Sequence, residues 1–141
     1  MPIEDLPHIE SAPGTEAEWF QALMNLARYL RSPEGCPWDQ KQTALNFARF
    51  AAEETQELLE AFAEEGNSEI EEEFGDALFC FLASAAAAEE EGRFTMQNAL
   101  QRIHEKMIRR HDHVFGENKA ATPEEAMKSW EQIKAQEKNN R

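Results

Sequence analysis

Two acidic clusters, Glu53-Glu54-x-x-Glu57 and Glu73-x-x-Asp76, flank a short Gly66-Asn67-Ser68 break. An α-helix turns about 100° per residue, so residues three apart point the same way to within roughly 60°. Glu54 with Glu57, and Glu73 with Asp76, can each present two carboxylates on one helix face. A break of this composition folds the two helices antiparallel and brings those faces together. Four carboxylates aimed at one space suit a hard divalent cation that prefers oxygen.

Helical glutamates are mostly solvated, and this chain is rich in acids. It has 28 Asp and Glu against 14 Lys and Arg, a formal net charge of −14. Three features set these four apart. On a wheel with Phe47 at zero, Glu54 falls at about 340°, inside an apolar stripe, where a carboxylate is costly without a partner. Asp76 opens a long apolar helix, and both pairs share the same spacing. Oxygen ligands alone favour Mg²⁺ or Mn²⁺ over Zn²⁺. A di-iron bundle needs Glu-x-x-His on two helices, and none of His8, His104, His111 and His113 has a Glu three residues before it. A zinc set of Cys36, His111 and His113 lacks a fourth ligand.

The complement to an acidic site is a basic one. Arg102, Lys106, Arg109, Arg110, His111 and His113 form the one locally basic stretch. If their helix packs beside the acidic pair, Lys106 with Arg109 or Arg110 would face a polyphosphate held by the metal. The same cations would also balance a negative helix C-terminus. Trp38, on a Pro-containing loop, is placed either to stack on a base or to act as a hydrophobic lid.

The elements that must position these residues are helical. The Ala-, Glu- and Leu-rich composition, with six Gly and six Pro in 141 residues, predicts an all-α, four-helix-bundle-like domain with an additional C-terminal helix. Residues 1–14, with Pro2, Pro7, Pro13 and Gly14, read as an arm or tail, and 15–141 as the domain. A first helix is expected from an N-cap at Thr15 to about Arg31, burying Trp19, Phe20, Leu23, Leu26, Ala27 and Leu30. Pro33, Gly35 and Pro37 stop it. Asp39-x-x-Gln42 resembles a capping box for a second helix, with Phe47, Phe50, Ala51, Leu58, Ala61 and Phe62 inward. A third helix, from about Ser68 to Glu91, carries Ile70, Phe74, Ala77, Leu78, Phe81 and Ala85 in its core stripe. From Ala77 to Ala88 it is apolar on all sides apart from Ser84, which calls for surrounding helices and suggests a partner subunit. Thr95 is the expected cap of a fourth helix, with Met96, Ala99, Leu100, Ile103 and Met107 inward. Thr122-Pro123-x-Glu125 starts a last helix that carries Ala126, Met127, Trp130 and Ile133 and frays at 138–141.

So acidic a surface argues against binding a nucleic-acid polymer. The N-terminus lacks the pattern of a signal peptide, and the longest uncharged stretch, 77–88, is too short to span a bilayer. Two cysteines, Cys36 and Cys80, do not make a disulfide scaffold. These features predict a soluble protein of the reducing cytoplasm with no membrane partner.

Read in order, Gly35-Cys36-Pro37-Trp38-Asp39-x-x-Gln42-Thr43, Glu53-Glu54-x-x-Glu57, Glu73-x-Gly75-Asp76, Lys106-x-x-Arg109-Arg110-His111-x-His113-Val114-Phe115-Gly116 and Trp130-Glu131-x-Ile133-Lys134 resemble the MazG family of nucleoside triphosphate pyrophosphohydrolases. The likeness covers residues 19 to 138 and is nearest to the GCPWD-bearing domain that comes first in longer members. It implies Mg²⁺ ligation by Glu54, Glu57, Glu73 and Asp76, and phosphate contacts from Lys106, Arg109 and Arg110. Trp38 would border the nucleoside pocket, and Glu53 or Glu57 would act as general base. The implied reaction cleaves a (d)NTP between the α- and β-phosphates, giving a monophosphate and pyrophosphate, as house-cleaning of non-standard nucleotides. A homodimer or a dimer of dimers is implied as well. Ala44, Asn46 and Ala52 stand where the family usually has His, Ser and Leu, which bears on base selection and pocket depth. The alternative to catalysis is a nucleotide or metal sensor, or a helical interaction protein, on the same fold.

Overall fold

In the computed structural model, which describes residues 1–64 and 66–140, the described chain is helical throughout apart from turns and loops. It divides into two compact units, Met1–Met96 and Gln97–Arg141. Arg141, at the end expected to fray, lies outside the described residues.

In the first unit a 3-10 turn (Ile3–Asp5) precedes α1 (Glu16–Leu30), α2 (Pro37–Lys41), α3 (Ala44–Glu64) and α4 (Asn67–Glu90). The Thr15 hydroxyl accepts from the Glu18 amide at 3.2 Å, and the Glu18 carboxylate accepts from the Thr15 amide at 3.1 Å. This reciprocal cap satisfies two amides that the first turn leaves without helical partners. The expected cap at Asp39 is not where the long helix begins. Pro37 at the first helical position starts a single separate turn, α2, and Asp39 lies inside it. The chain is extended at Gln42, and α3 is capped instead by the Thr43 hydroxyl, which accepts from the Asn46 amide at 3.0 Å.

Helices α3 and α4 run antiparallel, since the start of α3 meets the end of α4. Ser84 donates to the Ala44 carbonyl at 2.7 Å, and the Ala44 amide donates to Glu91 at 2.8 Å. The alanine half of α4 lies between two partners. Leu82, Ala85 and Ala86 pack with Met24 and Ala27 of α1, while Ala83, Ala87 and Ala88 pack with Ala44 and Phe47 of α3. Small side chains allow this close approach, and larger ones would overpack it. The small residues of the apolar segment that suggested a partner subunit are thus covered within the chain itself, while Phe81 is left exposed. Phe47 is in the core as expected, but three other phenylalanines expected there are not: Phe62, Phe74 and Phe81 are 63%, 59% and 56% exposed. Trp19 is also half exposed, and Met24 takes the buried place on α1.

The Glu89-Glu90-Glu91 run at the end of α4 is fully partnered. Glu89 makes a bidentate pair with Arg28 and accepts from the Met96 amide at the start of α5 (Met96–Arg110). Glu90 pairs with Arg31, and Glu91 with Arg93. Gly92, at φ 72°, closes the helix in the left-handed conformation, with Arg93 N–H donating to the Ala88 carbonyl.

In the second unit α5 is followed by α6 (Asp112–Phe115) and α7 (Pro123–Asn139). Leu100 and Ile103 of α5, expected inward, are largely exposed, as is Met127. α7 starts as expected, with Thr122 accepting from the Glu125 amide at 3.1 Å. Glu125 itself reaches back to the Ala121 amide. No helix among the described residues is long and apolar enough to cross a membrane.

The Arg28 pair, with the Met96 amide, holds the Glu89 carboxyl below its ordinary range. A lowered folded-state value means stability that is present above the unfolded value and is lost as pH falls through the folded one. Glu89→Gln should therefore cost roughly 1 kcal/mol at pH 7, after allowing for the partly exposed arginine. Chemical denaturation at several pH values should show this deficit closing below about pH 4.

Candidate active site

The α3–α4 hairpin brings three of the four predicted metal ligands together. One carboxylate oxygen from each of Glu54, Glu57 and Glu73 lies within 4.8 Å of the others. Oxygens around a single octahedral ion at about 2.1 Å stand roughly 3 to 4 Å apart, so the separation suits a shared cation. Asp76, exposed, is outside this close set, but its charge acts on both Glu54 and Glu73.

Glu54 and Glu73 each keep Oε2 out of water with no hydrogen-bond partner. Burial, followed by the charge of Glu57, pushes the carboxyl of each above its ordinary range; Asp76 acts on both, Glu73 also acts on Glu54, and Glu72 on Glu73. Among the described residues no ion pair reaches this cluster. The first unit's Arg28, Arg31 and Arg93 are committed to Glu89, Glu90 and Glu91. Orphaned carboxylate oxygens crowded by like charge are a donor set that fits a divalent cation. Glu53 is exposed and lies outside the convergent set. Cys80, one turn beyond Asp76, belongs to the same environment, because burial and then the charges of Glu54, Asp76 and Glu53 push its thiol up. The i, i+4 spacing from Asp76 was the signal for it in the sequence.

Trp38 packs on α3, stacked on Phe50 with ring centres 5.8 Å apart and meeting Phe47 edge-on at 6.0 Å. It is nevertheless 54% exposed. Of the three variant positions, Ala44 is buried and its backbone is used by Ser84 and Glu91. Asn46 donates to Gln42 Oε1 at 3.1 Å, and Ala52 is exposed.

Lys106, Arg109 and Arg110 belong to the second unit. Lys106 and Arg109 line a groove of about 460 Å³ with Ala99, Arg102, Ile103 and Glu105. Arg109 and Arg110 both pair with Glu137 of α7, at 3.0 and 3.1 Å. Arg110 also lies over the Trp130 ring, 5.2 Å from its centre. The two arginines hold the Glu137 carboxyl down to about 2. Glu137 is thus an opposing acid that the local sequence did not reveal. His111 is turned to the Met107 carbonyl and to Trp130, and both cysteines are free thiols.

Residues 42–115 match the model of the MazG nucleotide pyrophosphohydrolase domain. The chain belongs to the MazG family. All the clustered acids and the three basic residues lie inside that match, while Trp38 precedes it. The nucleoside triphosphate pyrophosphohydrolase/pyrophosphatase MazG of Thermotoga maritima is 43% identical over 122 residues, which is 86% of this chain and 46% of that protein. The nucleoside triphosphate pyrophosphohydrolase of Escherichia coli (strain K12) is 42% identical over 117 residues, 82% of this chain and 44% of that protein. The chain thus spans less than half the length of these two MazG relatives. The crystal structure of a mazG-related protein from Thermotoga maritima superposes with a TM-score of 0.67 at 32% identity, covering 78% of this chain and 93% of that one.

The raised Glu54 carboxyl has a testable sign. A raised folded-state value gives stability that is present below the unfolded value and lost as pH rises through the folded one. Glu54→Gln should therefore raise the melting temperature of the metal-free protein at pH 8 by a few degrees, a gain that vanishes near pH 4. Thermal melts in chelator at the two pH values check this.

Proposed function

We propose that this chain is a Mg²⁺-dependent nucleoside triphosphate pyrophosphohydrolase. In this reading it splits a (d)NTP between the α- and β-phosphates and clears non-standard nucleotides in the cytoplasm. The observation that carries the reading is the convergence of Glu54, Glu57 and Glu73 with two orphaned, buried oxygens. Membership of the MazG family and the names of its pyrophosphohydrolase relatives support it.

Glu54, Glu57 and Glu73, with Asp76, are the residues that would hold Mg²⁺ or Mn²⁺. A divalent cation there supplies neutralisation of the triphosphate and acidification of water. Glu53 is the better general base, since Glu57 is drawn into the convergent set while Glu53 stays outside it and free to accept the proton. Water adds to one phosphorus, the α–β anhydride breaks, and its electron pair leaves on the departing phosphate. Trp38 supplies a stacking face for the base; Lys106, Arg109 and Arg110, in the second unit, are cations of the kind that contact phosphates.

A homo-oligomer, dimer or tetramer, is part of the proposal. Phe62, Phe74 and Phe81, together with the 59% exposed Leu59, leave large apolar side chains on α3 and α4 that burial between copies would cover.

Pyrophosphate release from a panel of NTPs and dNTPs tests the reading. The wild type should turn over with Mg²⁺ and stop in chelator, and Glu54→Gln should lose at least about a hundredfold in activity. Glu53→Gln should lower kcat while leaving Mn²⁺ affinity intact, whereas Glu57→Gln should lower both. Binding without release would favour the sensor. Phe81→Glu should shift the protein to a smaller species in light scattering.

A further inference from the structure

The loop that carries Trp38 is anchored by one buried cation. Arg31, which ends α1, has a side chain only 8% exposed. Its Nη1 donates to the Asp39 carbonyl at 2.7 Å and to the Gln42 carbonyl at 2.9 Å, while its Nε pairs with Glu90 of α4. The two carbonyls lie at the end of α2 and at its cap; that of Asp39 also accepts from the Gln42 N–H at 3.1 Å, so the guanidinium adds to the turn's own closure. A planar guanidinium reaches both while still holding Glu90, and an ammonium cannot match that fork. The other end of the loop is held by backbone. Cys36 N–H donates to the Leu30 carbonyl at 2.7 Å, and Gly35 sits so close to α1 that a Cβ there would come within 2.3 Å of the Leu30 oxygen.

What this anchoring fixes is the height of an exposed indole along α3. Phe50, on which Trp38 stacks, shares its helix face with Glu54 and Glu57. At 1.5 Å per residue these lie about 6 and 10 Å further along the axis. An aromatic face and a carboxylate cluster spaced in this way match the two ends of one nucleotide. A surface tryptophan that served only as a lid would not require a buried arginine tied to three separate groups.

We propose that Arg31 is a positioning residue for nucleoside recognition: it holds the Trp38 indole in register with the carboxylates, so that a stacked base would bring its phosphates to a divalent cation held by Glu54, Glu57 and Glu73. The inference rests on the activity proposed above. Arg31 touches neither substrate nor metal and acts through Trp38.

The test compares Arg31→Lys, which keeps the charge opposite Glu90, in the wild-type and Trp38→Ala backgrounds. Arg31→Lys should raise the KM for a nucleoside triphosphate about fivefold, the equivalent of one lost net hydrogen bond. It should leave kcat within about twofold and leave inhibition by inorganic tripolyphosphate, which has no base, unchanged. In the Trp38→Ala background it should raise KM no further. An unchanged KM, or an equal rise in both backgrounds, overturns the proposal. A second measurement does not depend on turnover: with Trp19→Phe and Trp130→Phe leaving Trp38 as the sole tryptophan, Arg31→Lys should increase acrylamide quenching of its fluorescence. Unchanged quenching also overturns the proposal. Absence of pyrophosphate release by the wild type would sink the proposed activity alone, because quenching still decides whether Arg31 holds the indole.

Discussion

Repulsion among carboxylates is the interaction on which the rest of this structure turns. Glu54, Glu57 and Glu73 are brought together by two antiparallel helices, and two of their oxygens are withdrawn from water with nothing to pair them. Left alone, such an arrangement opposes folding. It persists because the other end of the hairpin is strongly joined. The alanines of α4 let α1 and α3 approach closely, and Ala44 is tied through both backbone groups to Ser84 and Glu91. A destabilised site is maintained by packing elsewhere, a common arrangement where function needs charge that folding does not.

The distribution of positive charge follows the same logic. Arg28, Arg31 and Arg93 are drawn to the glutamates at the end of α4, and Arg109 and Arg110 to Glu137. Among the described residues none pairs with the acidic cluster. An arginine there would relieve the repulsion and remove the attraction for an external cation. Segregation of charge, more than net charge, distinguishes this cluster from the many solvated glutamates on the same helices.

Much of this was legible in the sequence because it is local. The Thr15–Glu18 and Thr122–Glu125 caps depend on residues three apart, and the facing of Glu54 with Glu57 depends only on helical rotation. The antiparallel return followed from the break at Gly66, although Asn67 and Ser68 already belong to α4, and the all-α class followed from composition. What escaped depends on contacts between distant residues. Periodicity assigns Phe74 and Phe81 to a face of α4 but does not say whether α1, α3 or solvent lies against it. The Glu89–Glu91 run looks like any charged helix end until Arg28, Arg31 and Ala44 are brought to it. Asp39 matched a capping pattern, but Pro37 had already begun a separate turn, so Thr43 was left to cap α3. Glu137 lies 27 residues or more from the arginines it pairs with, and no local pattern joins them.

Carbon-13 NMR titration of the Glu54 and Glu73 side-chain carboxyls, with and without Mg²⁺, tests the central claim most directly. Without metal both should titrate above the ordinary glutamate value of 4.5, and saturating Mg²⁺ should drive both well below it, because the cation favours the ionised form. Carboxyls that titrate like exposed glutamates, and ignore Mg²⁺, would contradict the account.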